Sequence, residues 1–190
     1  MTLRILSGKF KGRNLKSPQS SPTRPTQGIL RQAVFNICQH QIQDVRFLDL
    51  FAGSGAMGLE ALSRGAKYSC FVEQNRSAAH IIRENIQILD VTEYSELLAM
   101  DALRALKILA RRKETFDIIY IDPPYGQPEL IRSVLEEIEK NNLISLSGVV
   151  FFEDSAQDPE LDYNSGRLKK VSSRKFGIAR LYQLEPIDHS

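Results

Sequence analysis

No apolar run in this chain approaches the ~20 residues that span a bilayer, so a transmembrane helix is excluded. The N-terminus is basic but lacks the apolar stretch of a signal peptide. Cysteine is scarce, and Cys38 and Cys70 stand too far apart in sequence to suggest a ligand cluster. A reduced, cytoplasmic setting without zinc or another metal is the simple expectation. Three isolated histidines, His40, His80 and His189, read as surface or helix-flank residues rather than catalysts. Internal repeats and low-complexity tracts are missing too.

One more absence is local. Residues 1–43 contain no Asp or Glu, while Arg4, Lys9, Lys11, Arg13, Lys16, Arg24 and Arg31 give them a charge of +7. The remainder holds 18 basic and 23 acidic residues, so the net charge of +2 conceals a segregation. A basic segment of this kind suits a polyanion, with nucleic acid favoured over a merely solvated arm.

What is present suits one domain with an appendage: 190 residues, 42% of them hydrophobic. The informative stretch is Phe116 to Tyr125, F-D-I-I-Y-I-D-P-P-Y. Its β-branched and aromatic run reads as a strand buried on both faces of a parallel sheet. Pro123 and Pro124 then end the pairing, and Asp122, preceding a proline, is held extended. The strand tip thereby presents a carboxylate, the Pro123 carbonyl and the Tyr125 ring. An amine could donate to the two acceptors while its base stacks on Tyr125. D-P-P-Y is equally readable as a plain turn.

Around this strand the chain alternates. Arg4 to Leu15 reads as a short hairpin or extended arm, pinned by Ile5, Phe10 and Leu15. Ser17 to Pro25 is a loop, and a helix follows with Thr26 as its expected N-cap. Strands are expected at Phe47–Phe51, Tyr68–Val72, Leu97–Met100, Phe116–Ile121 and Val149–Glu153, with helices between them. Asn75 is expected to cap the third helix, and Leu130–Lys140 to form the last one. Lys169–Lys175 and Ile178–Leu184 suggest a closing antiparallel hairpin. The fold class is α/β: a Rossmann-like, doubly wound, mostly parallel seven-stranded sheet with that hairpin, plus a small basic N-terminal extension. The expected division is residues 1–43 for the extension and 44–190 for the α/β unit.

After the first strand, Gly53, Gly55 and Gly58 spell G-x-G-x-x-G, and Glu73 follows 20 residues after Gly53. This is the dinucleotide fingerprint, with a pyrophosphate on the helix N-terminus and Glu73 on ribose hydroxyls. S-adenosylmethionine is the rival ligand, with Glu73 again on the ribose. Three features favour the rival. Asp49 could meet an ammonium that a dinucleotide lacks. Asp101 could accept from the adenine amine. And D-P-P-Y offers no proton donor for hydride chemistry. Each carboxylate could instead be a helix cap or a surface group. A side chain at Gly55 is expected to block the cofactor.

These motifs carry a resemblance. D-L-F-A-G-S-G-A-M-G-L-E-A-L-S-R-G-A (Asp49–Ala66), F-V-E (Phe71–Glu73) and D-P-P-Y resemble class I S-adenosylmethionine-dependent methyltransferases acting on amino groups. R-I-L-S-G-K-F-K-G-R-N-L and T-R-P-T…R-Q-A-V-F-N-I narrow it to the RsmD family, bacterial small-subunit ribosomal RNA guanine-(N2)-methyltransferases, over about Arg4 to Tyr182. Gln27-Gly28 and Gln32 depart from the pattern that members of this family often show. The resemblance implies a catalytic set of Asp122, Pro123, Pro124 and Tyr125. It implies cofactor contacts from Asp49, Phe51, Ala52, Gly53, Ser54, Gly55, Glu73, Gln74, Asp101 and Ala102. RNA contacts would come from Arg4, Lys9, Lys11, Arg13, Arg24, Thr26, Arg31 and Tyr125. The expected partner is ribosomal RNA or a small-subunit particle, met by a monomer. A DNA adenine-amine methyltransferase and a non-catalytic RNA-binding module on the same fold remain the alternatives.

Overall fold

In the computed structural model, residues 3–18, 25–124, 126–161, 163 and 166–187 are described, Pro25 and Thr26 by their backbone alone. The sheet grows outward from two central strands, β1 (Arg46–Leu50) and β4 (Phe116–Ile121). β2 (Tyr68–Val72) and β3 (Ser95–Leu98) extend it on one side, β5 (Ile144–Ser155) on the other, all parallel. The hairpin β6 (Leu168–Phe176) and β7 (Ala179–Pro186) completes the order β3-β2-β1-β4-β5-β7-β6. β7 runs against β5 and β6 runs against β7, so β6 points the same way as β5.

Strands buried on both faces need helices on both. α1 (Pro25–Ile37), α2 (Ala56–Ser63) and α3 (Arg76–Leu89) pack on one face, with Val34, Leu59 and Ile82 meeting Phe47, Phe71 and Tyr120. α4 (Ala102–Arg111) and α5 (Pro128–Lys140) cover the other, where Leu106 and Leu135 meet Leu48, Ile119 and Phe152. Cys38 lies in the first layer and Cys70 in the second, both fully buried and unbridged. Burial pushes the Cys38 thiol up to about 11 and raises that of Cys70 as well. Among the described residues no helix is long and apolar enough to cross a membrane.

The N-terminal arm is a small hairpin. Arg4 and Asn14 form an antiparallel bridge, and Ile5 and Leu15 are buried beneath it. Buried polar side chains hold it down, among them Ser63 on α2, which accepts the Phe10 amide at 3.0 Å and donates to the Ser7 carbonyl at 2.6 Å. Glu60 on α2 accepts the Leu6 and Ser7 amides at 2.7 and 2.9 Å. Asn85 on α3 accepts the Lys16 amide at 2.8 Å and donates to the Lys16 and Ser54 carbonyls at 3.0 and 2.9 Å.

Several boundaries differ from expectation; β1, for one, is Arg46–Leu50 rather than Phe47–Phe51, because Phe51 has already left the ladder. β3 is Ser95–Leu98 because Ser95 already pairs with Ser69, whereas Ala99 and Met100 have left the ladder. β5 is 12 residues long and rejoins β4 at Ile144. α5 begins at Pro128, a residue suited to a first turn that needs no N–H. α1 begins at Pro25, so Thr26 lies within the first turn rather than capping it.

Candidate active site

The carboxyl ends of β1, β2, β3 and β4 form one edge. Leu50 is paired with both Val72 and Ile121, so the next residues, Phe51, Glu73 and Asp122, stand level. Pairing persists slightly beyond the strands: Ala52 donates to the Val72 carbonyl (2.9 Å), Glu73 to Leu98 (3.2 Å) and Asp122 to Leu50 (3.4 Å). The glycine loop and Asp122 therefore sit side by side where the strand order reverses, the place at which open α/β sheets bind ligands.

Phe51 takes φ 66°, an uncommon conformation for an aromatic residue, and turns the chain from β1 into the loop. The three glycines then do different jobs. Gly58 packs α2 onto β2: a Cβ there would lie 2.3 Å from the Phe71 ring and 2.4 Å from Ser69 Oγ. Gly55, at φ 77°, is the N-cap of α2, and its missing Cβ would face Ile82 and Phe71 at 3.4 Å. Gly53, at φ 56°, has open space where its Cβ would be. A side chain at Gly53 would thus enter open space, whereas one at Gly55 would meet Ile82 and Phe71.

Three carboxylates surround this loop. Glu73 uses both oxygens on backbone, accepting the Gly53 amide at 2.8 Å and the Asn75 amide at 2.7 Å. It shapes the loop directly, and each oxygen keeps a lone pair for a ligand hydroxyl. Asp49, 2% exposed, accepts the Gly58 amide at 3.0 Å. Burial pushes it up to about 8, and the nearby Asp122 and Glu73 add to the rise. Asp122 is half-buried, pushed up to about 6 by burial, and its carboxylate accepts no hydrogen bond from the described residues. Pro123 is buried and Pro124 exposed. On the face that carries Asp49, Tyr120 donates its hydroxyl to Glu153 Oε1 on β5, and burial holds Glu153 up at about 7.

This arrangement discriminates between ligands. In a dinucleotide fold the first amides of the helix receive a pyrophosphate. Here the Gly58 amide is taken by the Asp49 carboxyl, and the surroundings are acidic. An anion would meet an amide already occupied and push Asp49 and Asp122 further toward their protonated forms, whereas a ligand carrying ammonium and sulfonium charges draws them into their ionised, attracting forms. The donor set fits S-adenosylmethionine: Asp49 and Glu73 as acceptors, and the open face of Gly53 as the surface against which its backbone would lie.

Other expected residues fall as follows. Gln74 is exposed beside Glu73, and Ala102 is buried in the first turn of α4. Asp101 caps α4 by accepting the Arg104 amide at 3.1 Å, which leaves one oxygen facing solvent. Ser54 and Ala52 lie in the loop, the former tied to Asn85. Arg4, Lys9, Lys11 and Arg13 are exposed on the arm. Arg31 is not the surface phosphate contact the sequence suggested. It is 5% exposed, donates to the Arg4 carbonyl at 2.9 Å and lies 3.9 Å from Glu60, so packing has claimed it. Arg24, Tyr125 and the Thr26 side chain lie outside the described residues. Glu60, Ser63 and Asn85 were missed. Their signal was a polar residue on the apolar stripe of a helix: Glu60 amid Met57, Leu59, Ala61 and Leu62, and Asn85 amid Ile82, Ile86 and Leu89.

A family profile described as conserved hypothetical protein 95 matches residues 3–185. The Bacillus subtilis protein YlbH is 34% identical over 176 residues, covering 93% of this chain and 95% of its own. Ribosomal RNA small subunit methyltransferase D of Escherichia coli is 31% identical over 186 residues, covering 96% of this chain and 90% of its own. The solved structure of yhhF from Escherichia coli superposes with a TM-score of 0.83 at 26% identity, covering 98% of both chains.

Proposed function

Because the chain belongs to the family of conserved hypothetical protein 95, the RsmD family, we propose that it methylates the exocyclic 2-amino group of a guanine in small-subunit ribosomal RNA. The observation that carries this reading is the register: Asp122, at the tip of β4 and without a hydrogen-bond partner among the described residues, stands beside the glycine loop of β1. The names of the relatives support the substrate class, and the acidic loop supports the cofactor. The basic residues 1–43 serve as the RNA-contacting segment, through Arg4, Lys9, Lys11, Arg13 and Arg24, and residues 44–190 as the methyltransferase unit. The protein works as a monomer in the cytoplasm.

Bound S-adenosylmethionine supplies an electrophilic methyl group. The protein's part is to present the nucleophile. Asp122 and the Pro123 carbonyl accept the two amine hydrogens, which draws the nitrogen lone pair out of conjugation and turns it toward the cofactor side. Tyr125 stacks the base, which must already be unpaired or leave its helix. Holding nucleophile and electrophile in contact removes most of the entropic cost of their meeting. The methylated amine is then a strong acid. With its own value near 6, Asp122 is a competent acceptor for the released proton. Tests combine mass mapping of methyl groups on small-subunit RNA from cells with and without the protein, and purified enzyme offered ribosomal RNA against plasmid DNA. A guanine that loses its N2-methyl in the deleted strain supports the reading. Methylation of plasmid adenine alone refutes it.

A further inference from the structure

A second run without acid lies far from the first. Residues 163–184 carry Arg167, Lys169, Lys170, Arg174, Lys175 and Arg180, and no Asp or Glu. Three of the six are engaged. Lys170 pairs with Glu160 at 3.0 Å, Arg167 donates to Asn142, and Arg180 is buried against the Asp158 carbonyl. Lys169, Arg174 and Lys175 are exposed and have no ion-pair or hydrogen-bond partner among the described residues.

Topology decides what the last two face. β6 points the same way as β5, so its carboxyl end lies on the edge that carries the glycine loop and Asp122. Arg174 is paired with Leu181, Leu181 with Glu153, and Glu153 is level with Asp122. Three strand spacings separate β4 from β6, roughly 14 Å. At ~3.4 Å per nucleotide in a stacked strand, that distance is about four nucleotides. The base of the basic arm lies on the other side of Asp122, where Asn85 joins the Lys16 backbone to the Ser54 carbonyl of the glycine loop, while the turn of the arm, with the Lys9 amide on the Ser63 carbonyl, sits at the far end of α2.

We propose that Arg174 and Lys175 form a second phosphate-contacting surface, so that a single RNA strand crosses the sheet edge from the arm, past Asp122, to the end of β6. This rests on the RNA-modifying reading given above. Cations on an exposed edge strand also deter sheet-to-sheet aggregation. Lys169, at the opposite end of β6, needs no other explanation. Arg174, unpaired among the described residues, level with Asp122 and on the same face of the sheet, does, and Lys175 follows it on the other face of this edge strand.

The experiment measures affinity for a small-subunit ribosomal RNA transcript across a salt series. It compares wild type, Arg174→Ala/Lys175→Ala, and a control, Lys107→Ala/Arg111→Ala, on exposed positions of α4. Each lost phosphate contact in a single strand flattens the log–log salt slope by ~0.7, so the β6 variant should lose ~1.4 and the control nothing. S-adenosylhomocysteine affinity should match wild type in both, confirming an intact fold. A β6 variant with the wild-type slope overturns the proposal while leaving the function intact. A wild type that binds no RNA overturns both. An unchanged slope on naked RNA, with weaker binding to the assembled particle, would place a protein there instead and also overturn it.

Discussion

Asp49 offers a sharp test of the site's electrostatics. An aspartate in water titrates near 3.8, but burial holds Asp49 at about 8 in the folded protein. Between these values the folded state keeps a proton that the unfolded chain has released. Stability therefore falls as pH rises through the window, by about 1.4 kcal/mol per unit, and levels off above pH 8. The whole window is worth on the order of 6 kcal/mol, large against the stability of an ordinary domain. Asp49→Asn keeps an oxygen for the Gly58 amide but cannot titrate. Urea unfolding of both proteins at pH 5.5, 6.5 and 7.5 cancels the slopes they share, including those of Asp122 and Glu153. The wild type should lose about 3 kcal/mol relative to the variant across this range, a relative midpoint shift of about 1 M urea. A difference that stays constant with pH would show that Asp49 is ionised in the fold, and the argument that burial keeps it protonated would fail. Calorimetry adds a second arm. If the ionised carboxylate holds an ammonium, wild-type affinity for S-adenosylmethionine should rise up to about tenfold per unit between pH 5.5 and pH 7, and that of the variant should stay flat.

Asp122→Asn should lower kcat by ~10²-fold or more with cofactor affinity nearly intact, measured by single-turnover methyl transfer and calorimetry. The wild-type rate should climb from pH 5 to pH 7 as Asp122, near 6, loses its proton. Gly58→Ala should destabilise by about 1–3 kcal/mol in thermal unfolding, since its Cβ would lie 2.3 Å from a ring atom. Gly53→Ala, with nothing within 4 Å, should cost only about 1 kcal/mol of backbone strain while weakening cofactor binding. Glu60→Gln should cost about 3–5 kcal/mol, because it leaves the buried Arg31 without its counter-charge and loosens the arm. Limited proteolysis should then cut first within residues 3–18.

The legible parts of this fold were those with unambiguous chemistry. β4 announced itself through a branched and aromatic run stopped by two prolines, and β2 ended where Glu73 and the capping Asn75 said it should. β3 was misplaced by two residues because S-E-L-L-A-M begins polar and ends apolar, so its bounds are decided by partners on β2 rather than by its own residues. Arg31 looked like a surface cation because nothing in the helix reveals that Glu60, from another helix, lies beneath it. The glycine loop was found by spacing, yet which of its glycines has open space beside it depends on φ angles and neighbours that spacing does not encode. The basic end of β6 was hidden by averaging, since residues 44–190 sum to a negative charge.

The two apolar layers each contain one thiol, Cys38 on the α1 side and Cys70 on the α4 side. Neither reaches solvent, and both are held protonated, so an alkylating reagent can touch either only when its own layer opens. Pulse alkylation read by peptide mass thus gives two native clocks. Equal rates mean that the halves separate in one cooperative event, and unequal rates identify which side of the sheet lets go first.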